Sequence, residues 1–220
     1  MAQKNAKRGR RPPRVVNGYH IRTFFPDFGV VESSLSPDKF GNHLLPPIPE
    51  GEVWFDKQFR KERRFLLAVH RFEYENRHRD YHTEVRPKLK EKFIKKGPPP
   101  KVVVRSSRRG RLMIRYVRGD LVRCYYDPAF IFGGHYKVYD YIPHNEVWLD
   151  NLQDPREKKF TLLHELEELW LMEGTEGKKG LNYDDAHTIA TRLELEARRA
   201  EQAPLLLKLA GRTPRRKKKI

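Results

Sequence analysis

The chain has 220 residues, 38% of them hydrophobic and 34% charged, with a formal net charge of +17 at neutral pH. That length suits one ordinary domain or two small ones with a modest core, and no run approaches the roughly 18 continuous apolar residues of a membrane span. The basic N-terminus lacks the apolar segment of a secretory signal, and the single cysteine, Cys124, excludes an intramolecular disulfide, so a cytoplasmic, reducing setting is expected.

The charge is unevenly spread. Residues 1–14 carry six Lys or Arg and no acid, and residues 211–220 carry six more, so removing these twelve leaves +5. Basic tails at 1–14 and 204–220 are therefore expected, able to contact nucleic acid or another polyanion without sequence preference.

After the first tail, Val15 to Glu32 reads as extended, with turns at Asn17-Gly18 and Pro26-Asp27. Ser36-Pro37 marks another turn. Arg64 to Phe93 reads as mainly helical with a break near Pro87, and Gly97-Pro98-Pro99-Pro100 reads as a stiff connector. Val102 to Tyr126 then reads as extended, with a hairpin at Arg109-Gly110 and a turn at Gly119-Asp120. Two further helices are expected, one opening near Phe160 and one after Tyr183, joined by a Gly-rich loop.

The order of signals repeats. Ile142-Pro143-His144-Asn145-Glu146-Val147-Trp148-Leu149-Asp150 matches Ile48 to Asp56 at six of nine positions. Asp127-Pro128 echoes Ser36-Pro37, Phe132-Gly133-Gly134-His135 echoes Phe40-Gly41-Asn42-His43, Phe160 echoes Phe65, and His187-Thr188 echoes His82-Thr83. A duplicated α+β chain is expected: a degenerate first copy over 15–96 and a second over 101–203, each a small antiparallel sheet followed by helices. With the histidines matched, Arg71 falls where the first copy would need a catalytic carboxylate. Trp54 and Trp148 read as strand-end core anchors, and Asp56 and Asp150 as starts of the following segment.

Phe160 to Met172 reads FTLLHELEELWLM. On a helix His164 and Glu168 stand one turn apart and can share a metal, with Glu165 rotated to one side as a base toward water. This is the logic of the H-E-x-x-H zinc helix with Glu168 at the second histidine. Leu162, Leu163, Leu166, Leu169 and Trp170 would form the apolar arc of that helix. In the next helix Ala186, Ile189, Ala190, Leu193 and Ala197 form a stripe of mostly small residues, with His187 and Glu194 at its edge and Asp184-Asp185 in the first turn. If the two helices pack antiparallel, both histidines reach one cleft, with His135 arriving from the Gly133-Gly134 turn. The expected site is a divalent metal, zinc first, on His164, Glu168 and His187. Glu165 is the general base, and His135 or Glu194 a fourth ligand or a supporting group. The same residues also suit an exposed acidic helix, with Glu165 and Glu168 paired to Lys158, Lys159 or the arginines between Arg105 and Arg118.

His164-Glu165-x-x-Glu168 with His187 downstream resembles the active-site helix of zincin-type metallopeptidases. The wider set Gly133-Gly134-His135, Ile142 to Asp150, Leu163 to Met172, Tyr183 to His187 and Glu194 is similar to a group of uncharacterised phage and bacterial proteins. The resemblance implies a metal-dependent hydrolase, peptidase-like, with a peptide substrate. The rival reading is a non-enzymatic basic protein that engages nucleic acid or an assembly through its tails and the segment Lys101 to Arg123, which holds eight basic residues against one acid. Those arginines could instead face the acidic helices, since residues 146–201 hold fourteen acids against eight bases.

Overall fold

A computed structural model describes residues 12–26, 28–34, 46–174 and 179–209, with side chains up to residue 201. In chain order it contains β1 (Arg14–Val16), α1 (Gly18–Arg22), β2 (Val31–Ser33), β3 (Val53–Asp56), α2 (Arg63–Glu75) and α3 (Arg86–Phe93). There follow β4 (Val103–Arg109), β5 (Leu112–Val117), α4 (Gly119–Tyr125), β6 (Gly133–His135), β7 (Glu146–Asp150), α5 (Pro155–Glu173) and α6 (Tyr183–Leu209). The class is α+β. Strands β1-β3-β2 form one sheet and β4-β5-β7-β6 the other.

The two sheets share a plan. In the first, β1 runs parallel to β3 with Arg14 opposite Trp54 and Val16 opposite Asp56, and β2 runs antiparallel to β3. In the second, β5 runs parallel to β7 with Arg115 opposite Trp148 and Val117 opposite Asp150, and β6 runs antiparallel to β7. Each sheet is therefore mixed where an antiparallel one was expected. A β-strand needs a crossover to reach a parallel neighbour, and the short helices α1 and α4 begin it. These helices replace the extended backbone expected over Val15–Glu32 and the simple turn expected at Gly119. Neither has the length or apolar period that would announce it. Each is held by one buried arginine.

Arg22 ends α1. Its Nη1 donates to the carbonyls of Phe28 and Gly29 at 3.1 Å each, Nη2 to Asp56 Oδ2 at 2.7 Å and Nε to Glu157 Oε1 at 2.8 Å. Arg123 does the same in α4. Its Nη1 donates to Phe130 and Ile131 at 3.0 and 3.1 Å, Nη2 to Asp150 at 2.9 Å, and Nε and Nη2 to Glu62 at 2.7 and 2.6 Å. The acids are exchanged: Glu157 belongs to the second half and Glu62 to the first. Arg22 also lies 4.5 Å from the ring of Phe132, and Arg123 lies 5.3 Å from that of Phe59. Gly18 and Gly119 let the two helices start beside these pairs, because a Cβ at either would overlap the Asp56 or Asp150 carboxylate. The expected connector at Gly97–Pro100 thus joins two halves that hold one another's charges, and Arg86 on α3 adds a third link at 2.7 Å to Asp127.

The roles of Arg22 and Arg123 also reset the repeat. The two arginines bind corresponding carbonyls, Phe28 and Gly29 for Arg22 and Phe130 and Ile131 for Arg123, so Asp127-Pro128 falls near Pro26, not Ser36-Pro37, and Gly133–His135 takes the place of β2 beside the central strand. The earlier partner Phe40-Gly41-Asn42-His43 and Pro37 lie outside the described residues, as do residues 1–11 and 210–220 of the basic tails, whereas Arg14 belongs to β1 and residues 204–209 continue α6. The helical stretch breaks at residues 76–80, where the Asp80 carboxylate accepts from Thr83 N at 2.7 Å, and not at Pro87. Pro87 sits in the first turn of α3, where its missing N–H costs nothing. Both tryptophans donate Nε1 to a glutamate two residues earlier, Trp54 to Glu52 and Trp148 to Glu146, and Trp148 is buried in the core of the second half.

On α5 the buried face takes only part of the expected leucine arc, with Leu162 packed against the cluster of Leu166 and Leu169, and adds a polar stripe. Leu166 and Leu169 are buried, but Trp170 is 49% exposed, and the inward stripe runs Glu157, Thr161, Glu165, Glu168. On α6, Ala186 and Ala190 are buried, Ile189 is on the surface, and Glu194 and Arg198 face inward. Polar groups on the inner faces of two adjacent helices need partners, and those partners define the site. Among the described residues no helix is long and apolar enough to cross a membrane.

Candidate metal centre

α5 starts at Asp154, whose side chain accepts from Arg156 N at 3.0 Å, with Pro155 in the first turn, and stops at Gly174 with φ +76°. α6 starts beyond the loop, with Asn182 Oδ1 accepting from Asp185 N at 3.0 Å and Asp184 and Asp185 in its first turn. The helices run antiparallel. Three polar rungs fix their register: Glu168 with His187 at 2.7 Å, His164 with Glu194 at 3.0 Å, and Glu157 with Arg198 at 2.5 Å.

The first rung is the centre of the site. His164 Nε2 lies 3.2 Å from His187 Nδ1 and 3.4 Å from Glu168 Oε2. These three donor atoms form one group able to hold a metal ion. A second group, His135, Glu165 and Glu168, shares the same carboxylate. His135, on β6 and fully buried, places Nε2 at 2.9 Å from Glu168 Oε1. Gly133 makes room for this approach, since a Cβ there would sit 2.9 Å from Glu165 Oε1.

All six residues singled out in the sequence meet here, though not all in the same role. Glu165 and Glu168 are 8% and 3% exposed, so the exposed acidic helix is not what forms. Glu194 belongs to neither group of donors. It accepts from Arg198 Nε at 2.8 Å and faces His164 Nδ1. Only part of the expected pairing with the arginine-rich hairpin appears: Arg111 reaches Glu173 at the end of α5, whereas Arg115 binds Glu146 and Arg118 binds Asp120.

Charge follows geometry. Burial opposes ionisation of His164, but the Glu168 and Glu194 carboxylates outweigh it and hold the imidazole well above its usual range. Burial also works against the Glu194 anion, yet His164 and Arg198 bring it down to about 2. Glu168 is pulled below the ordinary carboxylate range against its burial by hydrogen bonds to His135, His164 and His187. Glu165 goes the other way. Burial first, and then the Glu168 charge, push it up to about 8. Neighbouring carboxyls with pKa values driven apart are a familiar mark of acid–base sites.

A cavity of about 440 Å³ reaches this cluster, and its lining takes His70, Glu73 and Tyr81 from the first half. The sequence reading missed these. The signal lay in spacing: with Glu62-x-x-Phe65 set on Glu157-x-x-Phe160, His70 falls at Glu165 and Glu73 at Glu168. Val69, not a histidine, then occupies the place of His164, and Arg71 faces no carboxylate position. His70 and Glu73 are 8% and 6% exposed, and Tyr81 donates to Glu73 at 3.2 Å. No known protein family, curated protein or solved structure matches the chain.

Proposed function

We propose that the protein is a metal-dependent hydrolase of zincin type, with zinc on His164, Glu168 and His187 and a peptide or related amide as substrate. The observation that carries this is the convergence of one oxygen and two ring nitrogens at 2.7, 3.2 and 3.4 Å from one another. Two ligand atoms about 2.0 Å from a tetrahedral ion stand about 3.3 Å apart, so little movement is needed. Three protein ligands leave a fourth position for water, as hydrolytic zinc sites require. His164 and His187 are 12% and 15% exposed and line the cavity together with the more deeply set Glu168, so the triad is reachable from it.

Zinc there would polarise a carbonyl and acidify water. Glu165 accepts the proton. A base works best with a pKa near the working pH, and burial beside Glu168 sets Glu165 close to neutrality. Glu194 takes the Nδ1 side of His164, which leaves Nε2 to face the triad. The test is zinc content together with cleavage of a fluorogenic peptide library. One zinc per chain is expected, with zinc and cleavage both lost in His164→Ala and His187→Ala, and cleavage reduced about 10²–10⁴-fold in Glu165→Gln. Cleavage that persists without bound metal would overturn the proposal.

A second, non-enzymatic activity is supported by β4. This strand lies at a sheet edge, and its residues from Val104 to Arg109, including Arg105, Arg108 and Arg109, are exposed. With the basic tails it would offer phosphate contacts to nucleic acid. Salt-sensitive DNA or RNA retention that falls on replacing these three arginines supports it, and retention unchanged by both that replacement and tail deletion would dismiss it.

A further inference from the structure

The two donor groups share Glu168, which raises the choice between a second ion and a supporting role for His135. The ring of His135 decides it. Its Nδ1 accepts the backbone N–H of Lys137 at 3.3 Å. An imidazole nitrogen that accepts a hydrogen bond carries no proton, so the proton of the neutral ring sits on Nε2. Nε2 therefore donates to Glu168 Oε1, 2.9 Å away. A nitrogen in that state has no lone pair to offer a cation. Glu165 and Glu168 Oε1 alone would make a poor second site.

We infer that His135 is a positioning residue: its Nε2–H holds Glu168 Oε1, turning Oε2 alone toward a single ion shared with His164 and His187. This rests on the metal-binding reading above and settles how Glu168 takes part in it. Glu168 is 3% exposed and its two oxygens already face opposite ways, Oε1 to β6 and Oε2 to the histidines of α5 and α6. Buried carboxylate ligands depend on such outer hydrogen bonds for orientation, and their loss weakens metal binding 10- to 100-fold. His135 is well placed for the task because it is fully buried and fixed by strand pairing opposite Val147. The two flanks of the triad would then be held alike, by His135 from β6 on Glu168 and by Glu194 from α6 on His164.

The test uses the full chain loaded with zinc. Stoichiometry is read by elemental analysis, affinity by competition with a chelating dye, and the number of imidazole ligands by zinc-edge X-ray absorption. Wild type and His135→Ala should both hold one zinc with two imidazoles, with His135→Ala binding about 10- to 100-fold more weakly. His135→Gln should recover much of the loss, because its amide N–H₂ can also donate to Glu168. Two zincs in wild type and one in His135→Ala would overturn the inference, as would three imidazoles falling to two, or an affinity unchanged by either substitution. A wild-type chain that binds no zinc would remove the metal reading itself, a different result from one zinc bound without regard to His135.

Discussion

Arg123→Met removes a guanidinium that is fully buried and makes contacts at 2.6 to 3.1 Å with Glu62, Asp150 and two carbonyls. Methionine fills much of the volume, so the loss is chiefly electrostatic. Asp150, itself fully buried, is left without its cation, and Glu62 loses both of its bonds. Breaking one partner of a buried ion pair costs about 3–5 kcal/mol. For a chain of this size each kcal/mol moves the melting temperature about 2–4 °C, so a fall of roughly 6–20 °C is expected. Thermal melting with urea titration as a second probe would read it. Arg22→Met should destabilise in the same direction but by less, since Asp56 loses its cation while Glu157 keeps Arg198. The charge-matched triple change Arg123→Met, Glu62→Gln, Asp150→Asn should recover much of the loss. It leaves no buried charge unpaired, and the amide oxygen introduced at position 150 could still accept from Leu152 N, as the Asp150 carboxylate does. A melting point within about 2 °C of wild type for Arg123→Met would refute the view that exchanged arginines lock the halves together.

Other outcomes follow from the site. Zinc must compete with a proton for His164, which its two carboxylates keep protonated well above the usual range. Calorimetry in buffers of different ionisation enthalpy should therefore show proton release on zinc binding, and affinity should strengthen as pH rises toward the pKa of His164. In the metal-free chain Glu194 has its pKa lowered from 4.5 to about 2, so its contribution to stability is full above the unfolded value and lost as pH falls from about 4.5 through 2. Glu194→Gln should flatten that part of the acid-melting profile. Gly133→Ala would place a Cβ 2.9 Å from Glu165 Oε1 and Thr161 Cγ2, so a loss of about 1–3 kcal/mol in unfolding free energy and slower peptide cleavage are expected. Saturating zinc should raise the melting point, by the equivalent of about 2.7 kcal/mol at one hundred times Kd, and a chelator should reverse it.

Much of the site was legible because spacing on a helix is rigid. His164 and Glu168 had to share a stripe, and a short loop had to bring His187 back beside them. The hairpin at Arg109-Gly110 was equally legible, since Gly110 takes φ +58°. What escaped was set by partners distant in sequence. Leu163 and Trp170 look like part of a core stripe, yet Glu157 and Glu168 take the inner face because Arg22 and Arg198 pair with the first and His135 and His187 with the second. No local pattern announces that a glutamate will be buried. The helices α1 and α4 escaped for the same reason, being fixed by Arg22 and Arg123 and not by periodicity. The register of the repeat slipped between Ile48 and Val15 because the similarity there lies in the jobs done by Arg22 and Arg123, with few identical neighbours.

The most direct measurement is anomalous diffraction at the zinc edge from crystals grown with zinc. The account expects one strong peak about 2.0–2.2 Å from His164 Nε2, Glu168 Oε2 and His187 Nδ1, with His135 Nε2 left in contact with Glu168 Oε1. A peak elsewhere, or none with the three side chains still hydrogen-bonded to one another, would contradict it.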